Sequence, residues 1–221
     1  MARLEELRSN LAAVRRSVGD RVEILPVTKF HPASDLELLY ELGVRAVGEN
    51  REQEAREKAA ACPQMDVWMI GQIQSKKCNS IARWAAGVQS VDTLKIVHGL
   101  ERGMRNAEGT RTKGDTLPCY IQLSFDGDPN RGGCSEENLG ELVAAVRESE
   151  HLELVGFMVV PPLGTDATEV FRWAHALCQE YSTEQPLKLS AGMSGDMHEA
   201  IAAGSDVVRV GTAILGSRPV A

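Results

Sequence analysis

Strand-like and helix-like segments alternate eight times along this chain, and this alternation constrains the fold more than any other feature. Neighbouring parallel strands need a connection of helix length, so the alternation predicts a parallel sheet. Eight strand–helix units within 221 residues favour an α/β fold of the (β/α)8 TIM-barrel type, at the short end of its size range. We expect residues 1–221 to form a single domain. The strands are predicted at Val22–Thr28, Val44–Asn50, Val67–Gln72, Val88–Val91, Leu117–Phe125, Leu152–Val160, Leu187–Ser190 and Asp206–Val210.

An open doubly wound sheet is the alternative arrangement of such units. The sequence has no G-x-G-x-x-G motif after the first strand, which counts against the dinucleotide-binding version of that fold.

An extra helix is predicted ahead of the first strand, and several later helices begin with capping residues. Apolar side chains recur near the N-terminus at intervals of three and four residues, the spacing of one helix face. Ser34 is predicted to open a capping box, and Asp92 and Ser135 to cap later helices. The apolar face comprises Leu4, Leu7, Leu11, Val14 and Val18.

Charge and cysteine content exclude several classes of protein. The net charge is −7, which disfavours a nucleic-acid binder because phosphate backbones require a basic surface. Five cysteines without a C-x-x-C pair indicate neither a disulfide framework nor a zinc site, and we predict no metal. The sequence shows no signal peptide and no apolar run long enough to span a bilayer. We therefore expect a cytoplasmic protein with reduced thiols.

The first predicted strand ends on a lysine, Lys29. In a barrel of this type, functional residues gather at the carboxyl ends of the strands. A partly desolvated lysine at that mouth is a candidate nucleophile, and its typical reaction is imine formation with a carbonyl group. For an isolated lysine, a side chain that extends into solvent is the simpler interpretation.

The loops after the last two strands have the composition of a phosphate site. Loops in these positions often bind phosphate in such barrels, and helix starts near Gly195 and Ala213 are expected to direct free N–H groups at an anion. Ordinary turns, with Asp196 as a helix cap, are the alternative. The residues concerned are three glycines, Gly192, Gly195 and Gly211, and two hydroxyl residues, Ser194 and Thr212.

Arg209 lies inside a strand that should be buried on both faces. A buried guanidinium needs a partner, so the sequence leaves open a structural ion pair or a contact with ligand. A lysine opposite a phosphate site indicates a phosphorylated aldehyde. Pyridoxal 5′-phosphate (PLP) fits that description, and so does a phosphorylated sugar in a Schiff-base aldolase.

Several segments, in order, resemble the YggS/PROSC family of PLP-binding proteins. That family is similar to the N-terminal barrel of alanine racemase standing alone, and the likeness extends over nearly the whole chain. The segments are "VTKFHPASDLELLYELGVRAVGENREQE", "WMIGQIQSKK", "VQSVDTLK" and "LSAGMSGDMHEAIAAGSDVVRVGTAILG".

The resemblance implies a PLP-binding barrel concerned with PLP homeostasis. It implies that Lys29 holds PLP as a Schiff base, that Asn50 lies near the cofactor ring and that Arg209 faces the pyridine nitrogen. It places Met193 and Ser194 at the cofactor, with Ser194 toward the phosphate, and it places Gly211 and Thr212 at the phosphate. The sequence departs from the commoner family pattern at Gln72, where many members have histidine, and at Lys76, where many have asparagine.

The same resemblance bears on whether the protein is an enzyme. An arginine opposite the ring nitrogen weakens PLP as an electron sink, and racemisation needs a second acid/base group, a tyrosine from another domain in the racemase. Here the chain ends at Ala221, and Tyr40, Tyr120 and Tyr181 do not fall at strand ends. We therefore predict a monomeric PLP carrier without catalytic residues, with PLP-dependent apoenzymes as possible partners. An amino-acid racemase and the aldolase stay open as alternatives.

Overall fold

The computed structural model describes residues 2–128 and 131–217, and these form a (β/α)8 barrel. The predicted fold class is confirmed, whereas residues 1, 129–130 and 218–221, which belong to the predicted single domain, lie outside the described residues. The strands are β1 Glu23–Pro26, β2 Ala46–Glu49, β3 Asp66–Met69, β4 Gly87–Val91, β5 Leu117–Leu123, β6 Leu152–Val159, β7 Lys188–Ser190 and β8 Val207–Val210.

Helices follow the strands, and one helix precedes them. They are α1 Ala2–Val18, α2 Ala33–Glu41, α3 Glu52–Ala61, α4 Cys78–Trp84 with a 3-10 turn at Ser75–Lys77 ahead of it, α5 Leu94–Ala107, α6 Glu136–Glu148, α7 Ala167–Tyr181, α8 Met197–Ala202 and α9 Thr212–Leu215.

Parallel strand pairs run in the order β1-β8-β7-β6-β5-β4-β3-β2. A parallel bridge between Val27 and Gly48 closes the ring between β1 and β2, and the Thr28 amide donates to the Gly48 carbonyl at 3.1 Å. The barrel therefore closes at the carboxyl ends of its first two strands, where the predicted lysine emerges.

Helix α1 covers the part of the barrel that a long helix after β8 would otherwise cover. The helix that follows β8, α9, has only four residues, and α1 packs against α9, α2 and α8. Four of the five residues of its predicted apolar face, Leu7, Leu11, Val14 and Val18, are buried, and Leu4 is half-buried. The Arg3 guanidinium also donates to the Leu215 carbonyl at 3.0 Å, which ties α1 to the turn after β8.

Two predicted helix caps are wrong. Helix α2 begins at Ala33 after Pro32, so Ser34 lies inside the helix and forms no capping box, and Asp35 pairs with Arg3 at 2.6 Å. Asp92 does not cap α5, because Thr93 occupies the cap position and makes no side-chain capping bond.

Ser135 does precede α6, but its hydroxyl accepts from the Asn138 side-chain amide and not from the helix backbone. Within the described ranges, no helix combines the length and apolarity needed to cross a bilayer.

Candidate functional site

Lys29 emerges at the junction of β8, β1 and β2. The Val27 amide donates to the Val210 carbonyl of β8 at 2.9 Å, and the next amide donates to β2. The Lys29 side chain is half-buried and makes no hydrogen bond or ion pair within residues 2–128 and 131–217. The sequence-predicted amine is therefore available at the mouth of the barrel.

A buried ion-pair cluster supports the outer side of this junction. Lys58 of α3 donates to the Glu49 carboxylate at 2.6 Å, to the Glu54 carboxylate at 2.8 Å and to the Thr28 carbonyl at 2.7 Å. The Thr28 hydroxyl also donates to Glu49, at 2.5 Å. Burial raises the pKa of Glu49, and the neighbouring Lys58 opposes that rise. This cluster was not foreseen from the sequence, since Lys58 and Thr28 lie thirty positions apart.

Asn50 follows β2 directly, and its backbone packs against Gly71 at the end of β3. A Cβ atom on Gly71 would lie 2.1 Å from the Asn50 carbonyl oxygen, so only glycine fits there. The Ser90 hydroxyl donates to the Gly71 carbonyl at 2.5 Å, which fixes this contact from β4. Asn50 and Lys29 thus occupy corresponding positions, each two residues beyond the Val27–Gly48 bridge.

The loop after β7 forms a tight turn beside β8. Gly192 has a φ of 94°, a conformation that favours glycine, and its carbonyl accepts from the Arg209 amide at 2.9 Å. The Asp196 carboxylate accepts from the Met193 amide at 2.6 Å. Met193 and Ser194 are exposed at the tip of this turn.

The loop after β8 begins at Gly211, which lies beside β1. A Cβ atom at Gly211 would be 3.5 Å from the Val27 carbonyl oxygen, an ordinary contact distance. Thr212, the first residue of α9, is exposed. Helix α8 starts at Met197, two residues after the predicted start, and α9 is a single turn, so helix dipoles contribute little here.

Free backbone donors take over the role expected of the helix dipoles. Within the described parts of the chain, the amides of Ser194, Gly195, Thr212 and Ala213 have no acceptor, and neither Ser194 nor Thr212 uses its hydroxyl in a bond. Because one loop follows β7 and the other follows the adjacent β8, these donors lie at neighbouring strand ends. Such sets of N–H groups suit an oxyanion.

Arg209 is 4% exposed and lies inside the barrel. It donates to the Ser190 carbonyl at 2.7 Å, to the Ser190 hydroxyl at 2.8 Å and to the Val159 carbonyl at 2.9 Å. No carboxylate within the described ranges lies within 4.0 Å of it, which excludes the predicted alternative of a structural ion pair there. Burial lowers the pKa of Arg209 to about 10. Three of its five N–H donors are used, and two remain for a ligand.

A carboxyl group, Asp92, lies at the opposite side of the mouth. Burial raises its pKa, and a bond from the Gly133 amide opposes that rise. A Cβ atom on Gly132 would lie 3.4 Å from the Asp92 carboxylate and 3.6 Å from the Gln72 amide nitrogen, so these polar groups cluster beneath the β5–α6 loop. We predicted Asp92 only as a helix cap, and the sequence pattern alone does not reveal that its carboxyl group lies at the mouth.

None of the three tyrosines lies at the carboxyl edge. Tyr40 is in α2 beneath the Arg45 guanidinium, Tyr181 ends α7 against Phe157, and Tyr120 is buried in β5 against Trp68. Burial raises the pKa of Tyr120 strongly. A tyrosine acid/base group is therefore absent from the described mouth.

The fold and the site together define a class: a (β/α)8 barrel that presents a free amine, a buried guanidinium and free backbone donors at its carboxyl edge. The chain belongs to the family described as "Alanine racemase, N-terminal domain", which it matches over residues 2–219. The predicted resemblance to the YggS/PROSC family is confirmed.

The "Pyridoxal phosphate homeostasis protein" of Corynebacterium glutamicum is 54% identical over 204 residues, which cover 90% of this chain and 92% of that relative. The solved structure of PipY from Synechococcus elongatus PCC7942 with PLP bound has a TM-score of 0.83 at 28% identity, covering 95% of this chain and 100% of PipY. Alanine racemase from Corynebacterium glutamicum shares the fold, with a TM-score of 0.74 at 18% identity over 99% of this chain and 62% of the racemase.

Proposed function

We propose that the protein binds PLP at the carboxyl edge of its barrel, holds it covalently on Lys29 and acts in PLP homeostasis. One observation carries the proposal: the unbonded amine of Lys29 lies at the β1–β8 junction, and free donors lie in the loops that follow β7 and β8. A phosphorylated aldehyde matches both features. The relative from Corynebacterium glutamicum and the PLP-bound PipY support this ligand.

The site residues fit the chemical groups of PLP. In this proposal Ser194, Gly211 and Thr212 hold the phosphate through hydroxyl and amide donors, beside Met193. The free N–H groups of Arg209 face the pyridine nitrogen and act as donors to it, which is a role that an unpaired buried guanidinium can fill. Asn50 lies at the ring.

When bound, PLP supplies an aldehyde that condenses with a primary amine with loss of water. The protein supplies the amine, the anion site and a donor at the pyridine nitrogen that disfavours ring protonation. We infer a carrier without robust turnover, because no tyrosine acid/base lies at the described mouth. PLP-dependent apoenzymes are the proposed recipients.

Borohydride reduction of the PLP-loaded protein, followed by peptide mass spectrometry, tests the proposal. We expect a pyridoxyl adduct on Lys29 and none in the Lys29→Ala variant. An adduct on another lysine, or no adduct, would refute covalent attachment at this site. A matched lysine for comparison is Lys76, which is exposed and outside the mouth.

Two assays separate the carrier from its alternatives. Incubation with L-alanine or L-serine and chiral analysis should show no D-isomer at a rate expected of an enzyme, and a fast conversion would establish a racemase. Trapping of a phosphorylated sugar in place of PLP would support the aldolase.

We also infer a cytoplasmic location and a monomeric state. All five cysteines are unpaired, as is usual in reducing compartments. Size-exclusion chromatography with light scattering tests the monomer, and a dimer mass would refute it.

A further inference from the structure

Lys58 is a buried lysine whose hydrogen-bonding capacity is fully used. Its side chain is 6% exposed, and its three N–H donors find three acceptors: the Thr28 carbonyl, Glu49 and Glu54. A lysine satisfied in this way has no donor left for a ligand. Any role of Lys58 in the site must therefore act through the three groups that it binds.

The acceptors of Lys58 secure the backbone on both sides of Lys29. On the preceding side, Lys58 binds the Thr28 carbonyl directly at 2.7 Å. On the following side, one Glu54 carboxylate oxygen accepts two hydrogen bonds, from Lys58 at 2.8 Å and from the Phe30 amide at 2.6 Å. One ammonium group thus organises the peptide groups that flank the nucleophile.

The backbone at Phe30 needs such support. Phe30 has a φ of 69°, the only positive φ at a non-glycine residue within the described ranges. Residues other than glycine, asparagine and aspartate adopt this conformation at a cost and retain it where the surroundings enforce it. The Phe30 amide donates to Glu54, and the Arg51 guanidinium lies over the Phe30 ring at 5.1 Å.

The cluster holds the backbone beside Lys29 without touching the Lys29 side chain. The Glu49 carboxylate accepts from both the Thr28 hydroxyl and Lys58 of α3, and the Thr28 carbonyl accepts from Lys58 as well. Lys29 lies in the turn that follows, which the His31 amide closes by donating to the Thr28 carbonyl at 3.0 Å, and the Lys29 side chain makes no bond to the cluster. The cluster therefore acts on the amine through the backbone.

We propose that Lys58, together with Glu49 and Glu54, is a positioning group that presets Lys29 for covalent capture of the aldehyde. This inference rests on the proposed attachment of PLP to Lys29. It assigns to the cluster an effect on the covalent step that is separate from its contribution to stability.

The test compares two ligands that differ only at the reacting carbon. PLP carries the aldehyde, whereas pyridoxine 5′-phosphate carries an alcohol and binds without a covalent bond. We expect Lys58→Met to weaken PLP binding by about tenfold or more, because small misplacements of reacting groups have large effects. Binding of pyridoxine 5′-phosphate should stay within roughly twofold of wild type, the tolerance for uncoupled sites. Equal losses for both ligands would reduce the cluster to a structural role and overturn the proposal.

Lys77→Met is the matched control. Lys77 pairs at 2.8 Å with Glu52, a buried glutamate of the same helix α3, which also bonds Ser80 and pairs with Arg56. We expect it to leave the affinity ratio of the two ligands unchanged. A change in that ratio as large as the change in Lys58→Met would also contradict the proposal.

Amide hydrogen exchange gives a readout that does not depend on PLP. The Phe30 amide should exchange slowly in the wild type and faster in both Lys58→Met and Glu54→Ala, the latter at a part-exposed residue whose loss the fold should tolerate. If the wild type forms no adduct on Lys29, the proposed function fails while this measurement still decides the positioning role. Unchanged exchange at Phe30 in Glu54→Ala would refute it.

Discussion

Gly71→Ala should disturb the site and the fold together, because the glycine sits against the backbone of Asn50. An added Cβ atom would lie 2.1 Å from the Asn50 carbonyl oxygen and 2.8 Å from its Cα atom. Non-bonded carbon and oxygen atoms prefer about 3.3 Å or more, so the ends of β2 and β3 must separate by about 1 Å. Both neighbours are main-chain atoms, which leaves no flexible side chain to absorb the strain.

The size of the effect follows from this displacement. Overpacking in a well-packed region costs about 1–3 kcal/mol, and a clash with main-chain atoms belongs at the upper end. Each kcal/mol lowers the melting temperature by about 2–4 °C in a chain of this size, so roughly 6–12 °C should be lost. PLP affinity should fall as well, since Asn50 moves relative to Lys29.

Gly140→Ala is the control with the opposite expected sign. Gly140 lies within α6, is exposed and would place a Cβ atom 3.5 Å from the Tyr181 hydroxyl, an ordinary contact. Alanine is favoured over glycine in helices by about 1 kcal/mol, so the melting temperature should rise by about 2–4 °C. Thermal unfolding followed by circular dichroism checks both variants. A Gly71→Ala protein that melts and binds PLP like the wild type would refute the packing argument.

Three further predictions concern other parts of the protein. All five cysteines are buried, and burial raises the pKa of each thiol, to about 11 for Cys134 and about 12 for Cys178. A thiol reagent should therefore modify the native protein very slowly and the denatured protein at all five cysteines. Fast labelling of the native protein would contradict this burial. The pKa of His151 is raised, first by its hydrogen bond to Glu101 and further by Glu108 and Glu150, so its stabilisation is complete below the unfolded pKa of about 6.5 and is lost as pH rises through the folded pKa. The melting-temperature difference between wild type and His151→Asn should accordingly shrink as pH rises above the unfolded pKa of about 6.5, and a difference that grows would show the opposite linkage. Replacing both hydroxyls, Ser194→Ala with Thr212→Val, should lower the affinity for PLP by roughly 2–12-fold per lost hydrogen bond. The affinity for pyridoxal, which lacks the phosphate, should not change. An equal loss of affinity for pyridoxal would place the phosphate elsewhere.

The sequence pattern predicted the barrel because local periodicity and chain topology are linked. Eight alternations and the order of strand-end residues suffice to bring Lys29, Asn50 and Arg209 to one barrel, since parallel strands align their carboxyl ends. The apolar face of α1 could be predicted from the sequence in the same way. Such features depend on neighbours within one element or on a fixed rule of connection.

Features that depend on distant side chains could not be predicted in the same way. Helix α2 begins at Ala33, so Ser34 lies inside it and cannot cap it, and the Asp35–Arg3 pair joins residues 32 positions apart. In the sequence, Lys58 is one of several charged residues on a polar helix, and only the packing of α3 against β2 shows that its side chain is buried. The requirement for glycine at position 71 likewise arises from the approach of two strands.

The contacts of β2 keep the Glu49 carboxylate away from the proposed ligand. Glu49 binds Lys58 in the helix layer, whereas its neighbour Asn50 follows the end of the strand, where we propose that Lys29 and Arg209 contact the ligand. In a medium of low dielectric constant, an acid in the place of Asn50 would compete with the ligand for these cations. A slip of one residue in the register of β2 would produce that exchange, because it reverses the face of every side chain. The Val27–Gly48 bridge and the Lys58–Glu49 ion pair oppose the slip. The same contacts that close the barrel therefore also keep an acidic side chain out of the proposed ligand site.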